Sequence, residues 1–215
     1  MTITMPRLDR LPAQERGLTI GDFLVPIRVS ERMHTRARHI ALILIGTILI
    51  ALCARISFYI GDNPVPYTFQ TFGVLLSAGA LGFRRGLAAT ALYLLLGIVG
   101  LPIFADGDHG IERVLGASGG YLIGFVVASA VVGRLAELGW DRNIFGSVGA
   151  MLIGSLLIYA VGVPWLAFAA FGGDLVKAFN LGMVTFLAWD AVKLLLAAVA
   201  FPAAWWFFGR RPGDR

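Results

Sequence analysis

IALILIGTILIALCARISFYI, residues 40–60, decides the fold class. About 20 mostly apolar residues are enough to cross the hydrocarbon core of a bilayer as a single helix. Comparable stretches follow at 67–82, 87–104, 119–138, 144–171 and 181–208. Helix breakers separate them. GDNPVP at 61–66 carries two prolines, which lack the donor N–H and restrain the residue before them. FRRG at 83–86, the polar, Gly-rich ADGDHGIERVLGAS at 105–118, GWDRN at 139–143 and GGD at 172–174 mark the other turns, and Pro164 is placed to bend the fifth stretch. The expected fold is all-α: a polytopic membrane protein with six transmembrane helices. Composition points the same way. Of 215 residues, 58% are hydrophobic and only 14% are charged, whereas soluble domains carry roughly 25% charged residues. Mean hydropathy is +0.79. Such a chain could not cover a water-facing surface, and it is too apolar to be disordered. A β-barrel would alternate polar and apolar residues in segments of about ten. The single cysteine, Cys53, excludes an internal disulfide framework and a multi-cysteine metal cluster.

The formal net charge of +5 is unevenly placed. Seven of the 18 basic residues precede residue 39, three close the chain at Arg210, Arg211 and Arg215, and two form the pair Arg84–Arg85. No basic stripe is interleaved with aromatics, so nucleic-acid binding is not expected. Charges beside membrane spans set orientation instead. An even number of spans puts both termini on one side. With that side inside, fourteen basic residues face the cytoplasm and only Arg113 and Lys177 fall in outer loops. The outer connections carry acids: Asp62, Asp106, Asp108, Glu112 and Asp174. The expected organisation is a basic cytoplasmic leader at 1–38, a six-helix domain at 39–209 embedded in membrane lipid, and a cytoplasmic tail at 210–215. The leader is not a secretory signal, because its first apolar run lies too far from Met1. A short interfacial helix is expected within 21–37.

Ionisable residues inside a membrane are costly and usually face a cavity or a partner. Asp190 and Lys193, spaced i,i+3, share one face of the sixth helix. Two readings remain open: an internal ion pair that stitches helices together, or a site for a polar ring with both N–H and C=O groups. Lys193 lies about 22 Å from the helix end at Phe208, in the outer half of the membrane. Arg55 could snorkel to the interface or turn inward to hold a carboxylate. The 105–118 loop offers Asp108, His109, Glu112 and Arg113, but without a helical His pair no metal site is expected. GASGGY at 116–121 permits close backbone approach. No nucleophile, zinc or P-loop pattern is present in the sequence, so catalysis is not expected. The weaker competing class is an intramembrane enzyme using Asp190 for acid–base chemistry.

Five blocks taken together carry a resemblance: PVPYTFQTFGVLL (64–76), LGFRRG (81–86), LYLLLGIVGLPIF (92–104), GASGGYLIGF (116–125) and WDAVKLLLA (189–197). In this order they resemble the BioY family, the biotin-specific S components of energy-coupling-factor (ECF) vitamin transporters. Two positions depart from the family pattern: Ala117 stands where a proline is usual, and Ala188–Trp189 replaces a Pro-Gly pair. The resemblance implies biotin uptake across a prokaryotic inner membrane, with biotin as cargo and no cofactor. Its implied partners are an ECF transmembrane coupling subunit and two ATPase subunits. It also implies a substrate site in which Asp190 accepts from a ureido N–H and Lys193 donates to the ureido oxygen or the carboxylate. Asp108 contributes from the loop and Gln70 from the second-helix motif; Tyr121 and Phe104 wall the apolar ring, and Ser118 donates a hydrogen bond. Arg55 is added to this set on charge alone, as a counter-ion to the valerate. Ala37 and Ala41 resemble the small-xxx-small docking pair of S components, although ordinary helix packing explains such a pair equally well. An S component for another vitamin is the nearest alternative.

Overall fold

The computed structural model describes residues 19–24, 35–61 and 63–208. The helices are α1 (Gly21–Leu24), α2 (Thr35–Ala54), α3 (Gln70–Leu81), α4 (Phe83–Val99), α5 (Ile111–Leu115), α6 (Gly119–Glu137), α7 (Ile144–Phe171), α8 (Leu175–Gly182) and α9 (Leu187–Phe208). Two short strands, β1 (Ser57–Phe58) and β2 (Tyr67–Thr68), pair antiparallel. The chain is an all-α membrane protein. Among the described residues, four helical stretches are long and apolar enough to cross a membrane: Arg36–Ala54, Gly119–Glu137, Ile144–Phe171 and Leu175–Phe207. The outward side of α2 shows why lipid is required. Ile40, Leu44, Ile45, Ile48 and Leu52 are all exposed, a contiguous apolar surface that water would not tolerate.

Two expected spans are shorter than their apolar runs suggest. Helix α3 has 12 residues, about 18 Å of rise against a core of about 30 Å. It is the central helix, buried along most of its length and packed between α2, α4 and α6. Helix α4 has 17 residues and begins with Arg84 and Arg85 in its first turn. The turn between α3 and α4 depends on Gly82, whose φ of 81° lies in the region open to glycine. A Cβ there would also meet Thr19 Cγ2 at 2.9 Å and Glu137 Oε1 at 3.0 Å.

The structure corrects two boundaries. The first helix ends at Ala54, not at residue 60. Its last apolar residues leave the helix for the hairpin, where Ser57 pairs with Thr68 and Phe58 with Tyr67. Aromatic and β-branched residues favour such pairing, and the Phe58 and Tyr67 rings stack at 5.5 Å. Arg55 therefore stands just beyond the helix rather than inside it. The last helix starts at Leu187, not near 181. Leu175–Gly182 forms a separate helix whose first turn is capped by Asp174, and a 3₁₀ turn at Val184–Phe186 breaks the run. Helix α7 runs through Pro164.

Part of the expected leader lies in the described residues and is not loosely attached. Thr19 is fully buried and Ile20 joins the main hydrophobic cluster. Asp22 receives Arg85 Nη1 at 2.8 Å and Nη2 at 3.0 Å, while Arg38 Nη2 donates to the Asp22 carbonyl at 2.7 Å. The helical part of this segment is the single turn Gly21–Leu24, and α2 already begins at Thr35, inside the expected leader. Residues 1–18 and 25–34 of the leader and the 210–215 tail lie outside the described residues.

Candidate functional site

A cavity of about 60 Å³ lies within the bundle, lined by residues from the hairpin, α3, α6, α7, α8 and α9. One end is polar. Lys193 Nζ donates to Asp190 Oδ1 at 2.9 Å and to Thr71 Oγ1 at 2.6 Å. Tyr159 donates its hydroxyl to Asp190 Oδ2. Both charged residues are buried, at 9% and 7% exposure, so neither charge is held by solvent. The helical period puts Asp190 and Lys193 on one face, and the side chains brought to them come from α3 and α7. A carboxylate and an ammonium, each carrying hydrogen bonds besides the ion pair, can rearrange to serve a polar ligand without leaving a bare charge.

Apart from Arg113, the other walls are apolar or neutral. Gln70 lies at the start of α3 and gives an amide N–H to Tyr93 Oη at 2.8 Å. Tyr93 donates its own hydroxyl hydrogen bond to the Ile103 carbonyl at 3.1 Å. This relay leaves the Gln70 carbonyl oxygen with no donor among the described residues. Phe104 is 1% exposed and meets Tyr93 edge-on. Tyr121 lies in the first turn of α6 and anchors its hydroxyl on the Gly182 carbonyl at 2.8 Å, holding its ring as a wall. The glycine run before it lets the helices close: a Cβ on Gly120 would lie 2.3 Å from Trp165 Cβ. Ser118 Oγ is buried without a hydrogen-bond partner. A buried orphan hydroxyl is costly, and here it lines the cavity.

Outside lies a vestibule of about 240 Å³, lined by Pro64, Asp108, His109, Glu112, Arg113, Gly116, Ala117 and Ser118. Arg113 and Ser118 line both spaces. Arg113 Nη1 pairs with Asp108 Oδ2 at 3.3 Å.

Six of the residues singled out from the sequence meet around one cavity: Gln70, Phe104, Ser118, Tyr121, Asp190 and Lys193. Asp108 borders only the vestibule. Arg55 lines neither space; its guanidinium bonds to the Pro102 carbonyl and lies beside Gly107. Ala37 is exposed and Ala41 half-buried on α2, away from the cavity. Sequence reasoning missed Tyr159 and Thr71, and named Arg113 in the outer loop without assigning it to the site. Tyr159 carried no local signal, being one aromatic residue in an apolar helix. Thr71, beside Gln70 in the quoted second-helix block, was within reach. No group of three or more metal-ligating side chains occurs among the described residues.

The sequence profile of the BioY family matches residues 28–210. The "Biotin transporter BioY" of Thermotoga maritima is 42% identical over 155 residues, covering 72% of this chain and 88% of that protein. The "Probable biotin transporter BioY" of Pyrococcus horikoshii is 36% identical over 165 residues, 76% of this chain and 94% of that one. A crystal structure described as the S-component for biotin from an ECF-type ABC transporter superposes with a TM-score of 0.72 at 26% identity, covering 80% of this chain and 92% of that chain. Profile, relatives and fold agree with the motif blocks that line the cavity, and this chain belongs to the BioY family.

Proposed function

We propose that this protein is the biotin-binding S component of an ECF-type uptake system, taking biotin from outside and delivering it inward as unchanged cargo. The observation that carries this reading is the buried Asp190–Lys193 pair with Tyr159 and Thr71 at one polar end of a cavity whose remaining walls are largely apolar. A ureido ring has two N–H donors and one carbonyl acceptor, which complement a carboxylate beside an ammonium. Phe104 and Tyr121 offer ring faces for the apolar bicycle. The Gln70 carbonyl oxygen and the Ser118 hydroxyl offer further hydrogen bonds. Arg113, at the boundary with the vestibule, is a better-placed counter-ion for the valerate than Arg55, which is tied to Pro102.

The cavity volume supports a moving lid. Ligand pockets for molecules of this size are about 300 Å³ or more, and the inner cavity alone holds about 60 Å³. Displacing Arg113 and Ser118 would merge it with the vestibule of about 240 Å³ and reach that range. The loop that carries both belongs to the outer side of the inner membrane, with both termini, the leader at 1–38 and the tail at 210–215 in the cytoplasm and the embedded domain at 39–209. No cofactor enters this scheme. The energising partners are an ECF transmembrane coupling subunit and two ATPases, with Ala37 and Ala41 on the exposed side of α2 as docking contacts. The deciding experiment is mass spectrometry of small molecules co-purifying with the detergent-solubilised protein. Unmodified biotin at near one per chain supports the reading; a different vitamin, or a chemically altered one, overturns it.

A further inference from the structure

Far from the biotin cavity, a groove of about 880 Å³ opens at the opposite end of the bundle. Helices α2, α4 and α6 and the last residue of α3 line it: His39 and Ile43, then Leu81, then Phe83, Arg84 and Arg85, and finally Arg134 and Glu137. Its charges are not equally available. Arg85 is consumed by Asp22, Thr19 and the Leu81 carbonyl. Both Glu137 oxygens are engaged: one accepts the Phe83 N–H at 2.9 Å and the other is neutralised by Arg134 Nη1 at 2.9 Å. Arg84 and His39 are exposed and make no side-chain hydrogen bond among the described residues. The backbone N–H groups of Arg84 and Arg85, in the first turn of α4, likewise have no acceptor among the described residues, and a helix start favours negative charge. Beside these donors the wall is apolar: Ile43 and Leu81, with Phe83 at 38% exposure.

We infer that this groove binds one anionic phospholipid, its phosphate held by Arg84, His39 and the start of α4 and its upper acyl chain lying on Ile43, Leu81 and Phe83. A soluble phosphate would use the donors but leave the apolar wall idle, and a neutral lipid would use the wall but waste the charge. Basic pockets between transmembrane helices recognise acidic headgroups in this way. The bound lipid bridges α2, α4 and α6 at the end where the Thr19–Asp22 segment also packs. This inference is independent of the cargo: it holds whichever vitamin the outer cavity takes.

The test uses the full-length protein, delipidated in detergent and titrated with phosphatidylglycerol, phosphatidylcholine or inorganic phosphate, with bound lipid read by native mass spectrometry. Phosphatidylglycerol should be retained in preference to phosphatidylcholine, and free phosphate should not displace it. Arg84→Gln and His39→Gln are both on exposed side chains; the first should weaken phosphatidylglycerol retention by about fivefold and the second should weaken it further in combination, while biotin affinity stays unchanged. Equal retention of the two lipids, displacement by phosphate alone, or unchanged binding in the double variant would overturn the inference. So would variants that keep phosphatidylglycerol but fail to assemble with the coupling subunit, since the groove would then be a protein interface.

Discussion

Asp190 has two carboxylate oxygens, and each already has a donor: Lys193 on one and Tyr159 on the other. Removing a single partner from such a buried set strands the remaining group, at a cost of about 3–5 kcal/mol. Asp190→Asn and Lys193→Met are each expected to weaken biotin binding by at least about a hundredfold, measured by calorimetry in detergent. Near-normal affinity in both variants would return the pair to a purely structural role. The combined variant Asp190→Leu with Lys193→Met separates the two roles. It should recover thermal stability relative to either single change, because apolar replacement of a whole buried pair is often neutral, yet it should not recover biotin. Tyr159→Phe removes one bond to a charged acceptor and should weaken binding by about tenfold or somewhat more.

At the scale of elements, the 105–118 connection is pinned at its start and held more sparsely beyond Gly110, where the Trp165 indole donates to the Gly116 carbonyl at 2.9 Å. Arg55 holds the Pro102 carbonyl, and Ser57 bonds to Asp106. Asp106 adopts a φ of 59°, followed by Gly107 at 79° and Gly110 at 88°. These positive φ values make the segment a set of tight turns and stop it from continuing as an α-helix. Beyond it, only the 3.3 Å Asp108–Arg113 pair ties Asp108 to α5. Biotin should therefore slow amide exchange across residues 108–118 more than across 61–66, because closing a loop orders its backbone. Equal exchange with and without biotin would remove the lid. The hairpin shows what apolar runs conceal. A run from 40 to 60 reads as one span, yet its last residues pair as a strand, because hydropathy reports burial and not which hydrogen bonds the backbone makes.

At the scale of the whole molecule, two carboxyl groups outside the spans fasten the same end with opposite signs. Burial works against the Asp22 charge, but the bonds from Arg85 and Thr19 outweigh it and hold its carboxyl below the ordinary value. Its contribution is thus present above about pH 4 and is lost as pH falls through its lowered value. Asp22→Asn should cost about 2 kcal/mol at neutral pH, and the difference from wild type should shrink in acid. Asp141, between α6 and α7, behaves oppositely. Burial pushes it up to about 6, against the Trp205 indole bond and the Arg142 charge. It therefore favours the fold when protonated, and that gain is lost as pH rises from about 4 towards 6. Asp141→Asn keeps an acceptor for Trp205 and should flatten this part of the profile. Thermal melts from acid to neutral pH, run on both variants, check both signs. The proposed orientation has its own test: in a Cys53→Ala background, an impermeant thiol reagent applied from outside should label Cys introduced at His109 and not at Arg84. The reverse pattern would invert the molecule.

The sequence alone was enough to establish a helical membrane protein, the approximate positions of its helices and the i,i+3 pairing of Asp190 with Lys193. These follow from hydropathy and from the helical period, which act over a few residues. Six side chains marked from the sequence gathered round one cavity because each sits in a motif at a helix start or turn. Tertiary structure alone decided the rest. Tyr159 reaches Asp190 across 31 residues and Thr71 reaches Lys193 across 122. Arg55 turns to Pro102 instead of inward, and Thr19–Asp22 packs into the far end of the bundle. Each of these contacts joins elements distant in sequence, and which of them meet depends on how short α3 packs at the centre, which no local pattern in the chain encodes.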